Sequence, residues 1–187
     1  MKKFFTFFAA AALSLAAMAT DYTGKITVLV NNVGNTQDAT INIVQNEDET
    51  YKLSINNFTL DNEGSPIGVG NIVVDNLKGY TINGVTTVVA DQTITIAEGD
   101  DPNIPFWIGP GLNELGGVPI ILAAQFNNTK AKADIDIDMR SIMQQFINVK
   151  FETPDYNGKY GDVNGDGNIT AADVTAVYNI MLGTPDK

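Results

Sequence analysis

The strongest constraint on the fold is a strict alternation of apolar and charged residues between positions 131 and 139. The segment reads Ala131, Lys132, Ala133, Asp134, Ile135, Asp136, Ile137, Asp138, Met139. Successive side chains of a β-strand point to opposite faces, so this pattern predicts an antiparallel strand with one buried face and one solvated face. We interpret the three aspartates as that solvated face and not as a catalytic carboxylate pair.

Similar short runs, rich in Val, Ile and Thr, continue from residue 22 to residue 151. They predict strands near 26–30, 38–43, 51–60, 67–76, 79–89, 92–97, 118–126, 131–139 and 147–151. The parity of the third run changes between Ile55 and Phe58, which predicts a β-bulge near Asn56-Asn57. Residues 127–129 predict a hairpin turn, and 140–146 a short helix.

Eight or nine strands with short connections predict a mainly β fold, a closed up-and-down antiparallel barrel, with a β-sandwich as the alternative. A barrel of this size is either packed solid or holds one small ligand. The strand sequences resemble calycin-like domains of exported bacterial proteins. The resemblance is carried by Tyr22-Thr23-Gly24-Lys25-Ile26-Thr27-Val28, Gln37-Asp38-Ala39-Thr40-Ile41, Thr50-Tyr51-Lys52-Leu53-Ser54, Gly84-Val85-Thr86-Thr87, Ala131–Met139 and Ile147-Asn148-Val149-Lys150-Phe151. It implies a lipocalin-like barrel at 20–152, with no catalytic residues to carry over.

The N-terminal sequence has the features of a secretory signal peptide. Met1-Lys2-Lys3 is followed by an apolar run and by Ala17-Met18-Ala19, a small-residue cleavage pattern. We therefore expect residues 1–19 to be removed and the protein to be exported, to the periplasm or the outside of the cell. The run is short for a membrane span, so we expect none in the mature chain; an uncleaved anchor is the alternative.

The amino-acid composition limits the kinds of catalytic and metal-binding site that the chain can form. The chain has no His and no Cys, which removes the commonest general base, the usual zinc ligands and any disulfide. Its net charge of −11 gives no basic surface for nucleic acid. A glycosidase needs two carboxylates that flank a cleft, and no such pair stands out. We therefore predict a protein that is not an enzyme.

Residues 162–173, which we call the calcium loop, place oxygen-bearing side chains at the spacing of an EF-hand loop. Calcium prefers six to eight oxygen ligands, and Gly167 provides the sharp turn at position six. The predicted ligands of Ca²⁺ at positions 1, 3, 5, 7, 9 and 12 are Asp162, Asn164, Asp166, Asn168, Thr170 and Asp173.

The calcium loop differs from the general EF-hand rule because position 12 is Asp instead of Glu. Dockerin repeats share this replacement, and Gly161-Asp162-Val163-Asn164-Gly165-Asp166-Gly167 resembles the start of a dockerin type I repeat. The resemblance implies a calcium-binding repeat at 161–187, joined to the barrel by a linker at 153–160. It also implies a cohesin-type partner and a polysaccharide-degrading assembly. Dockerins that bind cohesins generally carry two repeats, whereas this chain has one.

A helix is predicted after the calcium loop, with Thr170 as its N-cap. Its apolar residues recur on one face at helical spacing: Val174, Val177, Tyr178 and Met181. One loop and one helix cannot bury a core alone. The apolar face therefore either packs on the barrel or receives a partner protein.

The loop at 105–112 is unusually apolar and holds Phe106 and Trp107, the single Trp of the chain. An exposed Trp ring can stack on a sugar or close a ligand cavity, which would make the barrel a site for a small apolar ligand or a glycan. The alternative is that both rings plug one end of the barrel.

These observations predict an exported binding or assembly protein whose defined chemistry is calcium coordination. The first alternative is a ligand-binding or glycan-binding barrel with a calcium-stabilised C-terminal cap. The second is a component of a polysaccharide-degrading enzyme.

Overall fold

The computed structural model describes residues 19–60, 65–156, 162–163 and 168–182, the last four as backbone only. These parts of the chain contain nine strands and three helices. The strands are β1 Ala19–Val30, β2 Val33–Gln45, β3 Tyr51–Leu60, β4 Ile67–Ile82, β5 Val85–Ile94, β6 Ile96–Ala97, β7 Val118–Phe126, β8 Ala131–Met139 and β9 Gln145–Glu152. The helices are α1 Gly109–Glu114, α2 Arg140–Met143 and α3 Ala171–Leu182. None of the described helices is both long and apolar enough to cross a membrane.

Eight of the described strands close into an antiparallel barrel. Their order is β3-β2-β1-β9-β8-β7-β5-β4, and β3 also pairs with β4, which completes the ring. The two-residue strand β6 lies outside the ring and pairs with β4 at Asn71 and Ile72. The prediction of an eight- to nine-stranded antiparallel barrel is confirmed.

The inward faces of the strands follow the predicted alternation, and the predicted bulge is present. Pairing between β3 and β4 shifts register between Ile55 and Phe58. Asn57 lies in this shift with a φ of 51°. The extra residue returns Phe58 to the interior, where it is buried.

The predicted strand at 79–89 is wrong. A turn at Asn83-Gly84, where both residues have positive φ (51° and 78°), divides this run between β4 and β5. Asn-Gly is the preferred pair for a two-residue hairpin turn, because its twist matches that of the flanking strands. The predicted helix at 140–146 is also shorter, because Gln144 adopts a left-handed conformation and β9 begins at Gln145.

The two ends of the barrel differ in chemistry. At one end, which we call the aromatic end, the rings of Tyr22 and Tyr51 pack against Phe126 at centroid distances of 6.3 and 5.3 Å. The Tyr22 hydroxyl donates a hydrogen bond to the Asn127 carbonyl at 2.6 Å. Burial raises the pKa of Tyr22, against a smaller opposing effect of its hydrogen bond with Thr20. Phe151, on β9, belongs to the same hydrophobic core and is fully buried.

The opposite end, which we call the apolar end, is formed by the connections β1–β2, β3–β4, β5–β7 and β8–β9. Exposed apolar side chains lie in these connections or at the first residue of the strand that follows: Val33, Ile67, Phe106, Leu115, Ile142 and Met143. At the aromatic end, the described turns at 46–50, 83–84 and 127–130 are polar. The barrel is therefore sealed by rings at one end and rimmed by apolar groups at the other.

Replacing Phe151 with alanine should lower the free energy of unfolding by about 3–5 kcal/mol, because it removes a buried ring from the hydrophobic core. Urea denaturation measures the change. Phe106→Ala is the matched control: this ring is 69% exposed, so its loss should cost less than about 0.5 kcal/mol. Equal effects of the two substitutions would contradict the described packing.

Candidate functional site

The structure brings the first and last positions of the calcium loop together. Asp162 and Asp173 are 7% and 3% exposed. The backbone N–H of Val163, next to the first position, donates to Oδ1 of Asp173 at 2.8 Å. The backbone N–H of Thr170 donates to Oδ2 of the same carboxylate at 2.6 Å. The Asp173 side chain thus ties both ends of the loop to the start of α3.

Thr170 caps α3 as predicted. Its hydroxyl oxygen accepts a hydrogen bond from the backbone N–H of Ala172 at 3.2 Å, while Asp173 accepts the backbone N–H of Thr170. This reciprocal arrangement is a capping box, in which two backbone donors at the helix start gain side-chain partners. The same carboxylate predicted as a metal ligand therefore also sets the direction of the helix.

The donor set fits a hard divalent cation. Asp162 and Asp173 are the buried carboxylates of the described part of the chain, and burying charged oxygens is costly unless hydrogen bonds or a cation compensate them. Asn168 and Thr170 are exposed beside them. The other two predicted ligands, Asn164 and Asp166, lie outside the described residues. Among the residues that are described, no three acidic side chains cluster closely enough to hold a metal.

Helix α3 packs on the barrel by the face that was not predicted. Ala176 and Val163 are buried and contact Tyr80 and Ile82 on the outer wall of β4. Two side chains of the predicted apolar face are largely exposed, Val174 at 71% and Tyr178 at 60%. Val177, which is 41% exposed, lines a depression on the barrel wall together with Gln125 and Val163. The side chain of Met181 lies outside the described residues. One helix therefore has a docked face and an exposed apolar face.

A barrel residue that the sequence did not single out joins the two parts of the chain. The side-chain N–H₂ of Gln125, on the outer wall of β7, donates to Thr87 Oγ1 at 3.2 Å and to the Asp162 carbonyl at 3.1 Å. The bond to Asp162 spans 37 positions of the sequence. The alternation in β7 predicts only that Gln125 faces outward. Its contact with Asp162 depends on which part of the chain packs against that wall, and local sequence does not show this.

Another unpredicted group lies on the same wall. Lys132 is 4% exposed, although its strand face was predicted to be solvated. Its ammonium group lies 5.1 Å from the centre of the Tyr156 ring. Burial lowers the pKa of Lys132, and the carboxylates of Glu152 and Asp162 oppose that effect. The ammonium group therefore partly balances the acidic loop.

The first part of the predicted linker is packed on the barrel. Thr153 is buried; its N–H donates to the Ala131 carbonyl at 2.9 Å, and its Oγ1 accepts from the Ala131 N–H at 3.1 Å. Lys130 donates to the Asp155 carbonyl. Residues 153–156 are thus held on the barrel by the backbone of Ala131 and the side chain of Lys130, and do not form a loose tether. The remaining linker residues, 157–160, lie outside the described residues.

The three aspartates on the outer face of β8 contact neighbouring polar side chains. The Asn148 amide donates to both Asp134 and Asp136 at 2.7 Å. Arg140 contacts Asp138 with two side-chain hydrogen bonds, of 2.9 and 2.6 Å, which lower the pKa of Asp138 to about 2. Each of the three carboxylates therefore has a hydrogen-bond partner on a neighbouring side chain.

Trp107 is buried, which corrects the idea of an exposed stacking surface. The side chain is 6% exposed and packs over Gly68 and Gly99, where an added Cβ would clash with its ring. The backbone of Trp107 forms a bridge to Gly68. The ring is held between β4 and the segment that follows β6, so little of its surface is open to a sugar. Phe106, beside it, is exposed at the apolar end.

An apolar cavity of about 180 Å³ occupies the barrel interior. Its described lining consists of aliphatic side chains, Phe58 and one polar residue, Gln145. Ile108 and Leu112 reach it from the segment of α1, and Met143 reaches it from α2. Met143 is also 42% exposed, so it lies at the boundary between the cavity and the apolar end.

Comparison with known protein families gives two matches. The model of the calycin-like β-barrel domain matches residues 18–153, and that of the dockerin type I domain matches residues 160–187. No curated protein and no solved structure matches the chain. Both domain types are generally non-catalytic, and the dockerin match marks a protein-interaction module. Since the first match covers most of the chain, the protein belongs to the calycin-like β-barrel domain family and carries a dockerin type I domain at its C-terminal end.

Proposed function

We propose that this protein is an exported, non-catalytic assembly component whose C-terminal module binds calcium and presents one face of α3 to a cohesin-type protein. The observation that carries the proposal is the orientation of α3. It packs on the barrel through Ala176 and leaves Val174, Val177 and Tyr178 exposed. An apolar helix face beside a metal loop is the kind of surface that a partner protein covers.

Calcium is proposed to bind the side chains of Asp162, Asn164, Asp166, Thr170 and Asp173 and the backbone carbonyl of Asn168. Two observations support this. Both described acidic ligands are buried, and the hydrogen bond from Val163 to Asp173 holds the two ends of the loop together. When bound, the ion supplies positive charge that compensates the buried carboxylates, so it should favour the ordered loop and the start of α3.

We propose that the module spans residues 161–187 and that the barrel spans residues 20–152. The signal peptide, residues 1–19, is removed on export. Binding of a cohesin-type protein would place the barrel in an assembly, of which polysaccharide-degrading complexes are the expected example. A single repeat offers one helix face, so we expect the partner to recognise that face mainly through Val174 and Tyr178.

Calcium should stabilise the wild-type chain, and Asp162→Ala should remove that effect, because position 1 of the loop supplies a direct ligand. At a hundredfold excess over its dissociation constant, a ligand stabilises the state that binds it by about 2.7 kcal/mol. Thermal unfolding and titration calorimetry, with and without chelator, measure the change. The control is Asp91→Ala, an exposed carboxylate on the barrel wall. Equal calcium binding by wild type and D162A would contradict the site.

Tyr178→Ala should weaken binding of a purified type I cohesin domain by about tenfold or more, because exposed aromatic residues dominate interface energies. Binding is measured by interferometry in calcium and in chelator. Thr175→Ala, on another exposed face of α3, should leave it unchanged. Calcium affinity should be the same in all three proteins. An unaltered interaction in Y178A would argue against this face.

A second role, ligand binding inside the barrel, is favoured by the cavity. An apolar cavity of about 150 Å³ is known to stay dry and bind benzene, and the cavity here has a comparable volume. Its mouth is rimmed by the exposed apolar side chains of the apolar end. We propose a small apolar ligand instead of a glycan, because Gln145 is the one polar group in the described lining.

Benzene, used as the probe, should shift the methyl resonances of cavity-lining Ile and Val residues. Ile137→Phe should reduce those shifts, since the larger ring fills space at the cavity wall. Val73→Phe makes the corresponding enlargement on the outer face of β4, where Val73 is 40% exposed, and should leave the shifts in place. Absence of methyl shifts in the wild type would contradict a ligand-binding cavity.

A further inference from the structure

We infer that the outer wall of the barrel is a structural part of the calcium module, with Gln125 as the residue that positions the first calcium ligand. The inference rests on the proposed calcium site and assigns a role to a barrel residue that neither matched domain type identifies. It accounts for how the described parts of the module, residues 162–163 and α3, are held on the barrel.

The hydrogen bond of Gln125 is the first step. Its neighbours in β7, Ala124 and Phe126, face the barrel interior, so Gln125 points to the outer wall. It is nonetheless only 7% exposed. Its amide reaches the carbonyl of Asp162, which is itself buried. A buried amide that lost this acceptor would carry a desolvation cost, so the contact strongly favours one position of Asp162.

Val163 connects the barrel wall with Asp173, at the other end of the calcium loop. Its side chain packs against Tyr80 and Ile82 on the barrel wall. Its backbone N–H donates to the Asp173 carboxylate. The dipeptide at 162–163 therefore contacts the barrel through a carbonyl and a side chain, and contacts the last predicted ligand through an N–H. Through these contacts, positions 1 and 12 of the calcium loop are both held relative to the same outer wall of the barrel.

Lys132 lies on the same surface. It is buried on β8 and lines one depression of the outer wall together with Gln125 and Val163. A positive side chain on this surface favours an acidic segment that packs there. The wall thus supplies a hydrogen-bond donor to the Asp162 carbonyl and carries a positive group on the same surface.

A restrained loop changes the thermodynamics of metal binding. A ligand that binds one conformation gains affinity as the population of that conformation rises. Docking of residues 162–163 on the barrel should therefore raise calcium affinity. By linkage, calcium should in turn stabilise docking by the same factor. The barrel and the module are energetically coupled through Gln125 and Val163.

The test uses two full-length variants and one matched control. Gln125→Leu keeps the approximate size of the side chain but removes its donor. Val163→Ala leaves the barrel sequence intact and removes the packing on Tyr80 and Ile82. Thr87→Val breaks the other hydrogen bond of Gln125, within the barrel, while leaving Gln125 able to reach Asp162.

Amide hydrogen exchange of residues 171–178, measured in chelator, reports docking without calcium. Titration calorimetry with calcium alone reports affinity. Q125L and V163A should speed exchange and weaken calcium binding by about tenfold, the effect of one lost hydrogen bond or a comparable contact. T87V should match the wild type in both measurements.

Unchanged exchange in Q125L and V163A would overturn the docking inference. Faster exchange with unchanged calcium affinity would overturn the positioning role of Gln125. If the wild type binds no calcium while exchange responds as expected, the proposed calcium site fails and docking of the module on the barrel is supported.

Discussion

The pairing of β3 with β4 is the interaction on which the other features depend. Without it, the sheet would end in two open edges, whose unpaired backbone groups favour aggregation. The bulge at Asn57 and the positive φ of Gly70, 129°, bend the two strands so that Phe58 pairs with Gly70. Closure then gives every inward side chain an enclosed surrounding, from the aromatic layer at one end to the cavity at the other.

The barrel could be predicted because its information is local. Alternation at Ala131–Met139 and the parity change before Phe58 are each visible within a few residues. The division at Asn83-Gly84 was missed because apolar and β-branched residues continue on both sides of the turn. The Asn-Gly pair is a local signal for a hairpin turn, but the long run of strand-forming residues at 79–89 was given more weight.

The features that escaped prediction come from contacts between distant segments. Burial of Trp107 depends on Gly68 and Gly99, which leave space for its ring. Burial of Gln125 and Lys132 depends on the chain beyond residue 152 returning to the wall. The dockerin resemblance and the N-cap at Thr170 were predictable because both depend on a fixed local spacing, whereas the calcium ligands stay a prediction.

The C-terminal module and the cavity lie towards opposite ends of the barrel. Tyr80, Ile82 and Gln125 lie near the aromatic end, whereas the cavity is lined towards the opposite end by Ile108, Leu112 and Met143. A partner seated on α3 would therefore sit close to the sealed base of the barrel. The proposed partner and the proposed cavity ligand would not compete for space, because a chain immobilised through its C-terminal module would leave the apolar end open to the surrounding medium.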